Sequence, residues 1–368
     1  MTVKPLNVLA LMSGTSYESI KYAFVLTDGV DIYQTYLSGA MPISEFLRSK
    51  IALIAGKDVH NVDDKVLIDA VEGDVTACMI DVLREIMASL PQKVDLIGIE
   101  GPTIAHDVQK KYTYQLGKSR QIFETFQIPV VSHFHNADIL NGGQGAPISA
   151  TYYQALASCV EKPALFINIG GISSLTYIGN LGEMLSFDCG PGNALLNDFM
   201  KKHAGVAMDY NGRCAALGVA DEKIVSGLMR HNYFKILPPK ALNQNTFTDK
   251  AEHFEGLDLQ NGAATITAFI AEGIVQSVCD LLPEKPQTIL ICGGGALNPT
   301  LVRLLKQKLK CCDMTATTAT DDIKPNDAAC IAFLAARRMY NLPMTFPFTT
   351  GVAAPLVGGK IYDKESTK

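Results

Sequence analysis

Short apolar runs alternate with helical patterns along the whole chain. Apolar runs predict strands at residues 8–12, 22–25, 94–99, 128–131, 165–169 and 288–292. Apolar positions at helical spacing predict helices within residues 50–90, 120–126, 148–160, 194–202, 262–282, 301–309 and 328–339. This alternation favours largely parallel sheets covered by helices, and therefore an α/β fold.

The length of 368 residues exceeds that of one ordinary domain and predicts two lobes. The flexible segment Asn141-Gly142-Gly143-Gln144-Gly145 is the candidate boundary and a candidate hinge. We expect an N-terminal lobe at residues 1–145, completed by residues 345–368, and a C-terminal lobe at residues 146–344.

Charge and apolar content exclude several classes of partner. The chain has 32 Lys and Arg against 37 Asp and Glu, and its net charge of −5 offers no general attraction to nucleic acid or an anionic membrane. We find no apolar run that approaches the roughly 20 residues of a membrane span, and no signal-peptide core. We expect a soluble, cytoplasmic protein. The nine cysteines lack a C-x-x-C pair and are expected to be reduced core residues.

Two hydroxyl-rich glycine turns lie between predicted strands. The first contains Ser13-Gly14-Thr15-Ser16, and the second contains Asn168-Ile169-Gly170-Gly171. Backbone N–H groups and hydroxyls in such turns can close around a polyanion without a side chain in the way. The pair predicts two related lobes that grip one phosphate tail.

A carboxylate lies at another glycine turn. Asp188 precedes Gly190-Pro191-Gly192, where a predicted strand runs into a helix. We expect this carboxylate to be exposed at a cleft edge, where it could accept a proton from water or a hydroxyl. The helix N-terminus behind it favours negative charge. A helix cap is the alternative role for Asp188.

Three further glycines follow a buried strand. Gly293-Gly294-Gly295 would bring the backbone against a flat or anionic ligand, with Asn298 or Thr300 as a cap or contact, although a structural turn is the alternative. The run lacks the Gly-Lys-Ser/Thr ending of a P-loop. His133 and His135, on a predicted strand end, could form a metal pair, but no third ligand lies at a recognisable spacing, and a polar strand end is the alternative.

Together these segments resemble the anhydro-N-acetylmuramic acid kinase family, a branch of the actin, sugar kinase and Hsp70 ATPase superfamily. The resemblance spans nearly the whole chain and rests on residues 11–16, 142–147, 168–172, 187–194, 292–300 and 350–361. It implies a two-lobed α/β actin-like ATPase fold, with ribonuclease-H-like lobes and a central ATP cleft.

The resemblance also implies a reaction. The family opens the 1,6-anhydro ring of anhydro-N-acetylmuramic acid with water and transfers the ATP γ-phosphate to the freed 6-oxygen, in cell-wall sugar recycling, with Mg²⁺ offsetting the phosphate charge. Asp188 matches the aspartate that activates the water, and a homodimer is suggested. The positions matched to ATP are Ser13, Gly14, Thr15, Ser16, Asn168, Gly170, Gly171, Gly190, Gly192, Gly293, Gly294, Gly295 and Asn298. The positions matched to the sugar are Thr103, Gln115 and Asp138.

Several motifs depart from the family pattern, mainly on the sugar-facing side. The pattern S-x-D-G-x-D is replaced by residues 16–21, S-H-G-Q-T by residues 99–103, Q-I-G-D by residues 115–118 and D-F-R-R-R-D by residues 133–138. The arginines expected to meet a sugar carboxylate are thereby absent. The alternatives are a kinase for a different anhydro or uncharged sugar, and a non-catalytic ATP-binding homologue with a regulatory role.

Overall fold

The computed structural model describes residues 4–14, 17–242, 246–247, 252–321 and 323–367. It divides into two compact units. Unit 1 comprises Met1–Ala155, Asn326–Pro347 and Gly351–Lys368, and unit 2 comprises Leu156–Pro325 and Phe348–Thr350. The lobe boundaries given above stay a prediction.

The strands, numbered along the chain, are β1 (Leu6–Met12), β2 (Ser19–Thr27), β3 (Ile32–Pro42), β4 (Leu96–Glu100), β5 (Thr103–Asp107), β6 (Tyr112–Gln115), β7 (Val130–Ser132), β8 (Ala164–Ile169), β9 (Ile172–Ile178), β10 (Met184–Pro191), β11 (Thr288–Cys292), β12 (Ala316–Thr318) and β13 (Lys360–Tyr362). The α-helices are α1 (Glu45–Ile54), α2 (Val62–Ser89), α3 (Ser119–Phe126), α4 (Asn136–Leu140), α5 (Ala150–Leu156), α6 (Asn193–Ala204), α7 (Arg213–Leu217), α8 (Glu222–Leu228), α9 (Leu259–Leu281), α10 (Pro299–Cys311) and α11 (Asp327–Met339).

Each unit is built on one mixed sheet, and the two sheets share a strand order. In unit 1 the order is β13-β7-β4-β1-β2-β3. In unit 2 it is β12-β11-β8-β9-β10, which corresponds to β7-β4-β1-β2-β3 of unit 1.

In unit 1, β1, β2 and β3 pair antiparallel, and β4 and then β7 continue the sheet on the other side of β1 as parallel strands. In unit 2, β8, β9 and β10 pair antiparallel in the same way, and β11 and then β12 continue the sheet on the other side of β8 as parallel strands. This repeated order confirms the predicted α/β fold with ribonuclease-H-like lobes. The expectation of largely parallel sheets is wrong, because five of the nine strand pairs described in these two sheets are antiparallel.

Helix α11 lies in unit 1, because it packs on β1, β2 and β4. Asn326 caps it by accepting a hydrogen bond from the Ala329 N–H. Close packing depends on Gly98 in β4, where a Cβ atom would lie 3.2 Å from the Ala335 Cβ. The predicted boundaries instead assign this helix to the C-terminal lobe, since its sequence distance from β1 hides the contact.

Helix α9 forms the centre of unit 2. Among the described residues it is the one helix long and apolar enough to cross a membrane, so the sequence-based view that no apolar run approaches this length is wrong. Its most apolar window is 83% buried inside the fold. It packs against β9, β10 and the helices α6, α7, α8 and α10. Such burial is typical of a core helix.

The predicted elements agree with the structure except in local detail. Residues 50–90 form two helices, because the chain turns at residues 55–61, where Asn61 caps α2. The helix predicted at residues 148–160 is shorter and ends in a 3₁₀ turn. The expectation of core cysteines is wrong for Cys159, Cys279, Cys311 and Cys312, which are exposed.

Candidate functional site

The catalytic candidate Asp188 lies on β10 at a β-bulge in unit 2. The pairing of β10 with β9 shifts register between Asp188 and Gly190, so one extra residue is inserted there. A bulge re-aims the side chains beside it and is frequent next to active sites. The strand then ends at Pro191, and α6 begins at Asn193.

Asp188 is held by a segment that returns from later in the chain. Its Oδ2 accepts a 2.8 Å hydrogen bond from the Leu242 N–H, and its backbone N–H donates to the Lys240 carbonyl at 3.1 Å. The Tyr233 hydroxyl donates to the Asp188 carbonyl at 2.7 Å. The Asp188 side chain does not cap α6, because the cap residue is Gly192, without a side-chain bond.

The carboxyl group of Asp188 is poised to exchange a proton near neutrality. Only 9% of the residue is exposed, so the expectation of an exposed carboxylate is wrong. Burial raises its pKa to about 7, although the Leu242 N–H and the nearby Lys240 charge oppose the rise. Burial also lowers the pKa of the Lys240 ammonium, whose Nζ lies 4.7 Å from the Tyr233 ring centroid. A carboxyl group with such a pKa suits a general base.

The second glycine turn packs directly against the turn that follows Asp188. The Asn193 N–H donates to the Gly170 carbonyl at 2.8 Å, and the Gly192 N–H donates to the Gly171 carbonyl at 3.1 Å. A Cβ atom at Gly192 would lie 2.4 Å from the Gly170 carbonyl oxygen, so the two turns approach this closely only with glycine there. Gly190 lies in the bulge, with the Phe234 ring 3.3 Å from its Cβ position.

The triple-glycine turn lies beside Asn168 in the same unit. Gly293 has a φ of +78°, and a Cβ atom there would lie 2.5 Å from the Asn168 Oδ1. The Gly294 Cβ position lies 3.5 Å from the Asn193 Nδ2, and that of Gly295 lies 3.3 Å from the Asn193 Oδ1. The carboxyl ends of the parallel strands β8 and β11 therefore bring the predicted nucleotide residues of unit 2 together.

Asn298 serves as a helix cap. Its Oδ1 accepts a 3.1 Å hydrogen bond from the Leu301 N–H at the start of α10, and the residue is buried. Thr300 donates its hydroxyl proton to the Gly212 carbonyl at 2.8 Å. The capping alternative thus accounts for the Asn298 side chain, and its assignment to ATP stays a prediction.

The first glycine turn lies in unit 1, at the end of β1. Ser13 is buried, its N–H donates to the Glu100 carbonyl at 2.9 Å and its hydroxyl donates to the Ser19 carbonyl at 3.2 Å. A Cβ atom at Gly14 would meet nothing within 4 Å. The predicted residues Thr15 and Ser16 lie outside the described residues.

The three predicted sugar residues all lie in unit 1. The Gln115 Nε2 donates to the hydroxyls of Thr103, at 3.3 Å, and Thr113, at 2.8 Å. The Asp138 Oδ1 accepts a 2.7 Å hydrogen bond from the Gly145 N–H and so fixes the glycine-rich segment at residues 141–145. A Cβ atom at Gly143 would lie 2.1 Å from that same oxygen.

Two histidines that sequence reasoning gave no part in sugar binding connect these residues. His106 lies 3.2 Å from the Thr113 hydroxyl through Nδ1 and 3.0 Å from the Gln144 carbonyl through Nε2. His135 lies 2.6 Å from the Gly145 carbonyl through Nδ1 and 2.9 Å from the Glu100 Oε1 through Nε2. Their ring centroids are 6.2 Å apart. In the sequence, the only indication of these contacts was that residues 99–103 and 133–138 depart from the family pattern.

The metal interpretation of His133 and His135 receives no support. Strand β7 ends at Ser132, and His133 has a φ of +59°, so the two rings do not share a strand face as predicted. The His133 ring lies 6.0 Å from that of Tyr362, whereas His135 contacts Glu100. No group of three or more His, Cys, Asp or Glu side chains with metal-binding geometry occurs in the part of the chain that the structure describes.

Comparison with known proteins gives a full-length match. The family described as anhydro-N-acetylmuramic acid kinase matches residues 6–364. Among solved structures, the nucleotide-bound activator of 2-hydroxyisocaproyl-CoA dehydratase from Clostridium difficile aligns at a TM-score of 0.45 and 13% identity, over 91% of this chain and 96% of its own. Component A of (R)-2-hydroxyglutaryl-CoA dehydratase from Acidaminococcus fermentans aligns at a TM-score of 0.43 and 14% identity, over 91% of this chain and 99% of its own.

Relatives with the same family description are similar along their whole length. Anhydro-N-acetylmuramic acid kinase from Bradyrhizobium diazoefficiens is 36% identical over 97% of this chain and 99% of its own. The proteins of that description from Rhodopseudomonas palustris and Acidiphilium cryptum are 35% and 34% identical, over 96% and 97% of this chain and 98% of each relative. With the family match at residues 6–364, these identities show that the chain belongs to the anhydro-N-acetylmuramic acid kinase family.

Proposed function

We propose that the protein is an ATP-dependent carbohydrate kinase that opens the ring of 1,6-anhydro-N-acetylmuramic acid with water and phosphorylates the freed 6-oxygen. The products are N-acetylmuramic acid 6-phosphate and ADP, and the role is cell-wall sugar recycling. Membership of the family supports this assignment along the full chain. The predicted cytoplasmic location, homodimer and lobe boundaries accompany the proposal as predictions.

The observation that carries the proposal is the environment of Asp188. A buried carboxyl group with a pKa of about 7 lies at a β-bulge, next to two glycine turns that are joined by backbone hydrogen bonds. A general base needs a pKa near the working pH so that it is partly ionised yet still takes a proton readily. A protein that only binds nucleotide has no need for such a group at this position.

In the proposed reaction Asp188 takes a proton from a water molecule as the water oxygen attacks the anomeric carbon. The bond between that carbon and the bridging 6-oxygen breaks, and its electron pair stays on the 6-oxygen. The 6-oxygen then attacks the γ-phosphorus of ATP, and the bond to the β,γ-bridging oxygen breaks, so ADP leaves. The proton on Asp188 returns to solvent, and every atom is accounted for.

The glycine turns are proposed to hold the ATP phosphates. Glycine at 192 and 293 lets neighbouring backbone approach to distances that a Cβ atom would block, as a phosphate-binding backbone requires. Magnesium, when bound with ATP, would offset charge on the phosphates.

The test is detection of phosphorylated sugar by mass spectrometry after incubation with Mg-ATP and anhydro-N-acetylmuramic acid. Asp188→Asn keeps the shape of the side chain but removes the base, so we expect product to fall by at least about 100-fold. Asp209→Asn is the matched control, since Asp209 is a buried carboxylate of the same unit whose oxygens accept hydrogen bonds from the Cys214 and Ala215 N–H groups.

Binding of ATP, measured separately by calorimetry, distinguishes the outcomes. Product from the wild type that is lost in Asp188→Asn and kept in Asp209→Asn supports the kinase with Asp188 as its base. ATP binding without product from any anhydro sugar overturns the kinase and favours the regulatory alternative. Equal product from both variants leaves the kinase but removes Asp188 from its chemistry.

A further inference from the structure

A buried ammonium group lies next to the catalytic candidate in unit 2. Lys240 is only 4% exposed, and its Nζ donates a 3.3 Å hydrogen bond to the Tyr233 carbonyl. The Nζ also lies 4.7 Å from the centroid of the Tyr233 ring and 5.7 Å from that of the Phe187 ring. In the part of the chain that the structure describes, no carboxylate forms a direct ion pair with this group. A buried cation is costly unless an anion compensates it, so the nearest anion matters.

Lys240 and Asp188 belong to one hydrogen-bonded frame. The Asp188 N–H donates to the Lys240 carbonyl at 3.1 Å, and the Asp188 Oδ2 accepts from the Leu242 N–H at 2.8 Å. The Tyr233 hydroxyl donates to the Asp188 carbonyl at 2.7 Å, while the Tyr233 carbonyl accepts from the Lys240 ammonium. The ammonium is therefore fixed relative to the carboxylate along two routes, one through the backbone of residues 240–242 and one through Tyr233.

The other titratable groups beside this carboxylate are neutral near pH 7. They are the Cys189 thiol and the Tyr233 hydroxyl, and burial raises the pKa of both. Burial also raises the pKa of Asp188, and the Leu242 N–H and the Lys240 charge oppose that rise. Burial lowers the pKa of Lys240, and the Cys189 and Asp188 groups oppose that change. The carboxyl group and the ammonium group therefore each favour the charged form of the other.

The elements that pack against the bulge add no further charge to it. Helix α9 approaches the bulge through Gly273 and Ser277, neither of which titrates. The acidic residue next to them, Glu272, forms an ion pair with a lysine of α10. Strand β9 places Ser174 opposite Asp188. Among the described residues, the ammonium defined above is thus the one cation beside this carboxylate.

A positive charge beside a buried base has two effects on proton transfer. Without it, a carboxyl group in such a site would stay protonated well above neutral pH, and a protonated carboxyl group does not accept a proton from water. With it, the ionised form is favoured. Once the carboxylate has taken a proton, it also releases that proton more readily, because the ammonium then regains its counter-ion. Neither effect requires contact with the substrate.

We propose that Lys240 is a positioning residue for the base: its charge keeps the buried Asp188 carboxylate ionised, and its carbonyl fixes the Asp188 backbone. The inference rests on the proposed kinase function. Lys240 acts through Asp188 rather than on the water or the sugar. Removal of its charge therefore changes the pH range in which the enzyme works.

The test is the pH profile of kcat/KM for anhydro-N-acetylmuramic acid with saturating Mg-ATP. Lys240→Met keeps an unbranched stem but removes the charge, so the midpoint should move to higher pH by about one unit or more. At pH 7 this shift lowers kcat/KM by about fivefold or more, and the loss should be recovered as pH rises. Lys240→Arg keeps the charge and should keep the midpoint of the wild type.

Lys202→Met is the matched control for the loss of a positive charge. The Lys202 ammonium lies in the same unit, is largely exposed and pairs with Glu255 at 2.6 Å. Solvent screens such a charge, so its removal should leave the profile unchanged. ATP and the sugar titrate identically in all four reactions, so a shift between proteins comes from the protein.

A stability readout separates this role from simple packing. At pH 5 Asp188 is protonated, so Lys240→Met removes a buried cation without an anionic partner and should keep or raise the melting temperature. The Tyr233 carbonyl keeps a hydrogen bond from the Ile236 N–H. As pH rises through 7, the variant should lose this advantage, because its carboxylate ionises without a counter-ion. The same loss should be absent when Asp188→Asn is combined with Lys240→Met.

The outcomes distinguish failure of this inference from failure of the proposed function. A midpoint that moves in Lys240→Met but not in Lys240→Arg or Lys202→Met supports the inference. An unchanged midpoint in Lys240→Met, or an equal shift in Lys202→Met, overturns it and leaves the kinase. If Lys240→Met does not fold, Lys240→Gln gives the same comparison. If the wild type yields no product, the proposed function fails, but stability still tests the inference: an effect of Lys240→Met that is the same with Asp188 and with Asp188→Asn at every pH overturns it.

Discussion

At the scale of single residues, chemistry depends on environments that the sequence shows only in part. The position of Asp188 between a strand and a glycine turn predicted a proton acceptor. Its burial was not predicted, because Leu242, which donates to it, lies 54 residues later in the chain. Glu100 was recognised only as a departure from a pattern, and His135 as another departure and as one half of a candidate metal pair. Their contact depends on how β4 and β7 are placed in the sheet, which the residues alone do not give.

The pKa of Asp188 predicts a pH-dependent rate. The base works when ionised, so kcat/KM for the anhydro sugar should rise with pH with a midpoint near the pKa of about 7. Stability should follow the opposite course. The folded state binds this proton more tightly than the unfolded chain, so its stabilisation is present at low pH and is lost as pH rises through about 7.

Rate profiles and chemical denaturation of the wild type and Asp188→Asn, between pH 5 and 8, check both expectations. The Asn variant does not ionise, so it should gain stability relative to the wild type as pH rises, on the order of a few kcal/mol. A wild-type profile that is flat across pH 7 contradicts the assignment of Asp188 as the base.

Close backbone contact predicts a sharp effect at Gly192. In Gly192→Ala the new methyl group would lie 2.4 Å from the Gly170 carbonyl oxygen, so the two interlocked turns must separate. We expect a loss of about 1–3 kcal/mol in the free energy of unfolding and weaker ATP binding. Urea denaturation and calorimetry measure the two effects.

Gly227→Ala is the control for Gly192→Ala. Gly227 lies in α8 of the same unit, and a Cβ atom there meets nothing within 4 Å. Alanine favours helix by roughly 1 kcal/mol over glycine, so this variant should be as stable as the wild type or more so. Equal behaviour of the two variants would show that the turns do not need a glycine at 192.

At the scale of secondary-structure elements, hydrophobic patterns predicted most of the described helices and about half of the described strands, but not their partners. The long helix α9 was predicted from its apolar pattern, yet its place at the centre of unit 2 follows from contacts with six other elements. The three-residue strands β12 and β13 and the 11-residue strand β3 were not predicted. Strand β3 lies at the edge of its sheet and none of its residues is buried, so no apolar run marks it.

The ends of α9 and α10 predict a disulfide under oxidising conditions. The Cys279 Sγ, on α9, lies 3.1 Å from the Sγ of Cys312, which ends α10. Oxidised glutathione should convert this pair to a disulfide and leave two molecules of reduced glutathione. Burial and the Cys312 thiol raise the pKa of Cys279 to about 12, so the reaction should be faster at higher pH.

Peptide mapping without reductant identifies the linked cysteines. Cys312→Ser should abolish the link, whereas Cys311→Ser, at the neighbouring exposed thiol, should retain it. A disulfide between Cys279 and Cys311 instead would contradict the placement of these helix ends.

At the scale of the whole molecule, the repeated strand order was predicted from the family resemblance rather than from periodicity. The sequence itself contains only one shared trace, the glycine turn that follows β1 and the one that follows β8. Strand order depends on pairing across long stretches of chain, which a run of apolar residues does not encode. The assignment of α11 to unit 1 shows this, since α11 packs on β1 and β2 although 300 residues separate the start of α11, at Asp327, from the end of β2, at Thr27.

Nucleotide binding predicts a stabilisation of the whole protein that is independent of turnover. A ligand that binds only the folded state at 100 times its Kd adds about 2.7 kcal/mol to the free energy of unfolding. We therefore expect Mg-ATP to raise the melting temperature of the wild type and of Asp188→Asn alike, since the substitution removes a base and not a phosphate contact. Gly192→Ala should reduce the shift, because it separates the turns proposed to hold the phosphates. Differential scanning calorimetry with and without nucleotide measures all three proteins. A shift in the wild type that vanishes in Asp188→Asn would mean that Asp188 acts in nucleotide binding, and the assignment of this residue to the water-activating step would then be wrong.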